Sequence, residues 1–152
     1  MKFRHALLGS ALLAAAPLFA TTAAAAEPPQ IVVSQLDGIV ADNPLEAGGP
    51  TAKVIARSQA GDSELQVLVM SRIRLHHHDQ EDHIVYVARG RGTARLENAA
   101  GEIETRPVAP GDILNLPRGL KHAFEKDSDE DIVLLVVATA GWKPLEDTVF
   151  HE

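Results

Sequence analysis

The chain has 152 residues, 14 Lys and Arg against 21 Asp and Glu, a formal charge of −7 and no cysteine. A net negative surface argues against nucleic acid and anionic membranes as partners, and without thiols there is neither a disulfide nor a cysteine-linked lipid anchor. Setting aside the first 26 residues leaves about 126, enough for one domain with a real core and not for two.

In chain order, Lys2 and Arg4 precede an apolar run from Ala6 to Ala20, and Ala24-Ala25-Ala26 offers a small-residue cleavage site. This predicts a signal peptide over residues 1–26, with a run too short and too alanine-rich for a membrane span. The mature chain then begins near Glu27, carries −9 once Lys2 and Arg4 are lost, and is expected in the periplasm, free of a membrane anchor. Residues 27–50 are rich in Pro, Gly and acidic side chains, with one β-prone patch at Ile31-Val32-Val33, and predict an arm with a short strand.

Residues 51–152 read as one domain. Short runs there predict strands at about 52–58, 64–75, 83–89, 92–97, 103–108, 112–116, 121–125 and 131–139. Turn chemistry separates them, as at Gly61-Asp62, Gly90-Arg91-Gly92, Pro110-Gly111 and Pro117 to Gly119. No stretch after residue 26 sustains a helical period, and no internal repeat appears. The pattern is all-β, and a double-sheet jelly-roll barrel is one solution for it. Trp142 and Phe150 in the tail are expected to cap the barrel or seal a dimer.

Two stretches carry the chemistry: His76-His77-His78-Asp79-Gln80-Glu81-Asp82-His83 with Gly90 after it, and Gly111 to His122 with Pro117 and Gly119 between. Residues two apart on a strand project from one face, so His76 and His78 can present both imidazoles to one point. His83 would join from the partner strand and His122 from a later one. Imidazole suits Zn, Cu, Fe and Ni and, less tightly, Mn. Gly111 and Gly119 permit sharp turns and Pro117 sets φ before the strand that delivers His122.

These motifs resemble those of the cupins, G-x5-H-x-H-x3-4-E-x6-G and G-x5-P-x-G-x2-H-x3-N. Gly111 through His122 match the second, with Lys126 where Asn is expected. His76, His78 and Gly90 match the first, with Met70 at the opening glycine and His83 in place of Glu. The resemblance spans about residues 50 to 140 and implies a cupin-like double-stranded β-helix. It also implies one divalent transition metal per chain, held by His76, His78, His83 and His122, and a homodimer. One feature conflicts with this register. Leu65, Val67, Val69, Ile73 and Leu75 form an odd-numbered apolar face whereas the ligands are even-numbered. Either a bulge near residues 71–75 switches the faces, or His77 or Glu81 replaces one of the ligands; the family register favours the bulge.

Four neutral imidazoles would leave a divalent ion its full charge and favour an anionic ligand. Seven arginines lie between Arg72 and Arg118; most are expected on solvated strand faces, with Arg72 or Arg74 foremost as binders of an anionic substrate. The expected function is a metal-dependent oxygenase-type enzyme acting on a small oxygenated organic anion, with Glu81 or Tyr86 shuttling a proton. The alternatives are a metal-dependent lyase or isomerase, or a non-catalytic periplasmic module that binds a small ligand or metal.

Overall fold

The computed structural model describes residues 33–152. The expected signal peptide and the patch at Ile31-Val32 lie outside them. Ten strands run β1 (Ala52–Ala60), β2 (Ser63–Met70), β3 (Arg72–His78), β4 (His83–Arg89), β5 (Gly92–Glu97), β6 (Ile103–Val108), β7 (Ile113–Leu116), β8 (His122–Lys126), β9 (Ile132–Thr139) and β10 (Thr148–Phe150). They form two antiparallel five-stranded sheets, in the orders β1-β2-β9-β4-β7 and β10-β3-β8-β5-β6. The all-β jelly roll expected from the sequence is the observed architecture.

The expected strand over 64–75 is two strands in different sheets. β2 pairs with β9 and β3 with β8, and Ser71 is the crossing point. Its N–H donates to the Thr51 carbonyl and its carbonyl accepts from the Lys126 N–H, both at 2.9 Å. A continuous apolar pattern does not reveal such a break, because both halves are buried whichever sheet they join.

The crossing also resolves the parity of the apolar residues. Val67 and Val69 face outward and pack with Val133 beneath Leu36, Val40 and Leu45, whereas Met70, with Leu68 against it, faces the core between the sheets. That inner core includes Val85, Val87, Phe124, Ile132, Leu134 and Val136. Gly90 belongs to its packing: at φ 70° it turns the chain so tightly that a Cβ would collide with the Asp131 carbonyl.

The outer cluster is covered by α1 (Leu36–Ala41), a helix the sequence did not announce; Val33, the last residue of the β-prone patch, is in no strand. Six residues are too few to show a helical period, and so short a helix owes its stability to what it covers. Leu36 and Val40, four apart, lie on one face and meet the valines of β2 and β9. A second short helix, α2 (Pro144–Asp147), leads into β10. Edge strands β1 and β10 border a slot that leads into a cavity of about 620 Å³ between the sheets.

Candidate metal centre

β3 delivers His76 and His78, and β8 delivers His122, the cross-strand partner of His76. All three are buried, and one ring nitrogen of each lies within 4.8 Å of the others. Their Nδ1 atoms are engaged elsewhere. With Nδ1 protonated, His76 donates to the Arg74 carbonyl at 2.8 Å and His122 to the Leu120 carbonyl at 2.9 Å, while His78 Nδ1 meets Thr148 Oγ1 at 3.3 Å. Such bonds fix ring orientation and tautomer and leave Nε2 as the lone pair for a cation.

The inward aim of His76 and His78 depends on a local irregularity. Ile73 pairs with Phe124 but His76 pairs with His122, so β3 spends one more residue than β8 over this interval. This is a bulge within residues 74–75, and it turns the even-numbered histidines inward. His77 points the other way and is bonded to His151 at 2.7 Å and Asp79 at 2.9 Å.

His83 reaches the centre from the facing sheet, at the first residue of β4. Its ring centroid is 4.6 Å from that of His78, and its Nε2 is buried with no hydrogen-bond partner among the described residues. It is not one of the three whose ring nitrogens all converge within 4.8 Å. An unpaired buried nitrogen is costly, and a cation beside it would remove that cost. The donor set therefore fits a divalent transition metal: three converging imidazoles and a fourth with a spare lone pair.

The approach loops are tied together. Asp82 accepts from the Arg118 backbone N–H at 2.8 Å and from Arg118 Nη2 at 2.7 Å, and the Arg118 side-chain and backbone bonds hold its carboxyl down at about 2. Gly119, at φ 79°, donates its N–H to the His78 carbonyl at 2.7 Å. Together these bonds fasten the turn before His122 to the ends of β3 and β4.

Burial dominates the electrostatics. It pushes His78 down to about 3, with His83 and His76 adding to the effect; it pushes His122 to about 3 and His83 to about 4, and it lowers His76 as well. All four are neutral at pH 7, the form that ligates.

Other expected residues fall elsewhere. Tyr86 is on the outer face of β4, 41% exposed, so strand alternation aims its phenol away from the imidazoles and it cannot shuttle a proton there. Glu81 accepts from the Thr139 N–H at 3.1 Å and lines a separate surface hollow with Trp142 and Asp147 rather than the central cavity. Arg72 and Arg74 line the cavity with exposed side chains, and the Arg74 guanidinium sits 4.6 Å over the Phe150 ring.

Two further groups had no signature in the sequence. Asp147, buried beside His78 with its Oδ2 at 4.0 Å from Nδ1, accepts from the Trp142 indole N–H and the Gln80 N–H, each at 3.1 Å. On the facing sheet Arg57 is paired with buried Glu64, which also accepts from Gln66 Nε2 at 2.6 Å. Alternating polar residues in β2 read as a solvated face, and only the closed sandwich turns them inward.

Residues 65–138 match the family described as Cupin domain. A curated relative, acireductone dioxygenase of Bacillus cytotoxicus, is 25% identical over 108 residues, 70% of this chain and 62% of that protein. The chain thus spans less than two thirds of that relative. Among solved structures, oxalate decarboxylase from Lactobacillus farciminis aligns at TM-score 0.50 and 17% identity, over 59% of this chain and 26% of that one. Oxalate decarboxylase from Bacillus subtilis aligns at TM-score 0.51 and 21% identity, over 59% and 24%. These likenesses show the fold. With the family match, the two-sheet topology and histidines in the motif positions, residues 65–138 are a cupin domain.

Proposed function

We propose that this protein is a metal-dependent oxygenase-type cupin that acts on a small oxygenated organic anion. The observation that carries the reading is the convergence of His76, His78 and His122, with the unpartnered Nε2 of His83 facing them. Similarity to a protein named acireductone dioxygenase supports oxygenase chemistry over the alternatives. His76, His78 and His122 would hold the ion and His83 would complete the set. A bound divalent ion supplies a Lewis acid that polarises substrate oxygens. The chain supplies the rest: neutral imidazoles aimed by their Nδ1 bonds, largely apolar walls, and cations along the slot that draw an anion in.

Oxygen uptake tests this directly. Protein loaded separately with Mn, Fe(II) or Zn is presented with enediols and catechols, and uptake is expected only with a redox-active metal and is lost in His122→Ala. Conversion without oxygen would replace the oxygenase by a lyase or isomerase, and binding without conversion by a non-catalytic module. We place the protein in the periplasm on the strength of its N-terminal pattern alone; intact-mass measurement of the native protein should show a chain starting near Glu27.

A further inference from the structure

The central cavity is larger and more apolar than a two- or three-carbon acid requires. Its volume of about 620 Å³ lies within the roughly 300–1,000 Å³ range of sites that enclose drug-sized ligands. Leu68, Met70, Ile73, Phe124 and Leu134 wall the part leading away from the histidines.

The charge on its walls runs opposite to that of the chain. Although acidic residues outnumber basic ones by 21 to 14, the lining includes Lys53, Arg57, Arg72 and Arg74 and, among the described residues, no Asp or Glu. These cations are not equivalent. Lys53 is spent on the Pro44 carbonyl at 2.7 Å and Arg74 is stacked on Phe150, while Arg72 and Arg57 are both exposed. Arg57 is the one held by buried groups. Glu64, anchored by Gln66, binds Nη1, and the same nitrogen reaches the Trp142 carbonyl at 3.5 Å. Among the described residues its Nε and Nη2 have no partner. The Trp142 ring lies 4.8 Å from that of His78 and 4.4 Å from that of His83, which places Arg57 at the histidine end of the cavity.

We propose that the ligand is an amphiphilic anion. Its oxygenated head, of the 2-oxo or 2-hydroxy acid type, lies between the histidines and Arg57, and its unbranched apolar body extends along Leu68, Met70, Ile73, Phe124 and Leu134. This deepens the oxygenase reading by naming a substrate class, and it makes Arg57 the residue that orients the anion, ahead of Arg72 and Arg74. A carboxylate paired with a guanidinium whose fork is already fixed loses little freedom on binding.

The test is a chain-length series. Straight-chain 2-oxo acids of three to ten carbons are titrated into Zn-loaded and metal-free protein, with fluorescence of Trp142, the only tryptophan, as readout. Burying each methylene is worth about 0.8 kcal/mol, so Kd should fall about fourfold per added carbon until the cavity is full, then level off. The same increment should persist, from a weaker starting point, without metal, because it arises from the walls. Arg57→Gln should weaken every member by a similar factor, about tenfold or more, and leave the increment unchanged; Arg57→Lys should restore part of the loss. Leu68→Phe should shorten the length at which affinity levels off. A Kd independent of length, or tightest for the three-carbon acid, would overturn the amphiphilic ligand, and Arg57→Gln without effect would overturn the anchor. Oxygen uptake with short enediols alone would sink this inference and leave the oxygenase standing; length-dependent binding with no uptake would do the reverse.

Discussion

The two sheets face each other across one cavity, yet they contribute opposite things. The β10-β3-β8 wall places three buried imidazoles at neighbouring positions, each with its Nδ1 engaged. The β1-β2-β9-β4 wall places aliphatic side chains, a buffered Arg57–Glu64 pair and a single histidine, His83. One wall can hold a cation by itself, whereas the other shapes what the cation meets. Convergence therefore comes from alternate members of the run, His76 and His78, joined on one pleated surface by a cross-strand neighbour, His122.

Removing one of the three converging imidazoles from the first wall should have the largest effect. His122→Ala should drop metal content well below one per chain while far-UV circular dichroism stays that of a β-protein, because Val85, Val87, Leu134 and their neighbours hold the sandwich together. Stoichiometric metal in that variant would break the three-histidine centre, and loss of the folded signal would make the ion structural.

Next in size is the carboxylate behind His78. Outer partners of metal-bound histidines typically contribute about 10–100-fold in affinity, so Asp147→Asn should weaken metal binding within that span, as read by competition against a chelator. An unchanged affinity would mean that Thr148 alone orients the ring.

Acid should act on the metal-free protein through the same imidazoles. Their ordinary value is 6.5 and the folded values of His78 and His122 are about 3, so below pH 6.5 the unfolded chain takes up protons that the folded chain refuses. Stability should be greatest above pH 6.5 and decline progressively toward pH 3. Urea midpoints at pH 7.5, 5.5 and 4.5 would show it; flat midpoints would mean that water reaches the rings freely.

A subtler change comes from the second wall. His83→Glu adds a hard oxygen donor facing the three imidazoles and should shift relative affinity from Cu and Zn toward Mn and Fe(II). Competition titrations that return the same metal order for both proteins would remove His83 from the ligand set. Smallest of all, Tyr86→Phe should leave metal affinity and turnover within error, since the phenol lies outside the sandwich.

Much of this molecule is legible from residue order alone. Strand existence followed from short apolar runs punctuated by Gly, Pro and Asp, and the cupin resemblance came from two motifs whose turn residues do local work: Gly119 needs a positive φ, and Gly90 needs the absence of a Cβ. Backbone requirements of that kind are visible because few residues meet them. The faces of β2 were not legible, because Val67 and Val69 are as apolar as the inner Leu68 and Met70 while inner Glu64 and Gln66 look solvated.

The sequence by itself determined the all-β class, the turn positions and the identity of the residues fit to hold a metal, since each is a property of local conformation or side-chain chemistry. Tertiary structure alone decided that β2 and β3 belong to different sheets, that α1 covers the outer valines, that Arg57 and Asp147 stand near the histidines, and that Tyr86 does not. Those outcomes depend on which strands pair and how two sheets close over one another. Arg57 and Trp142 are brought together across 85 positions, and at that separation proximity is set by long-range packing and leaves no periodic trace in the chain.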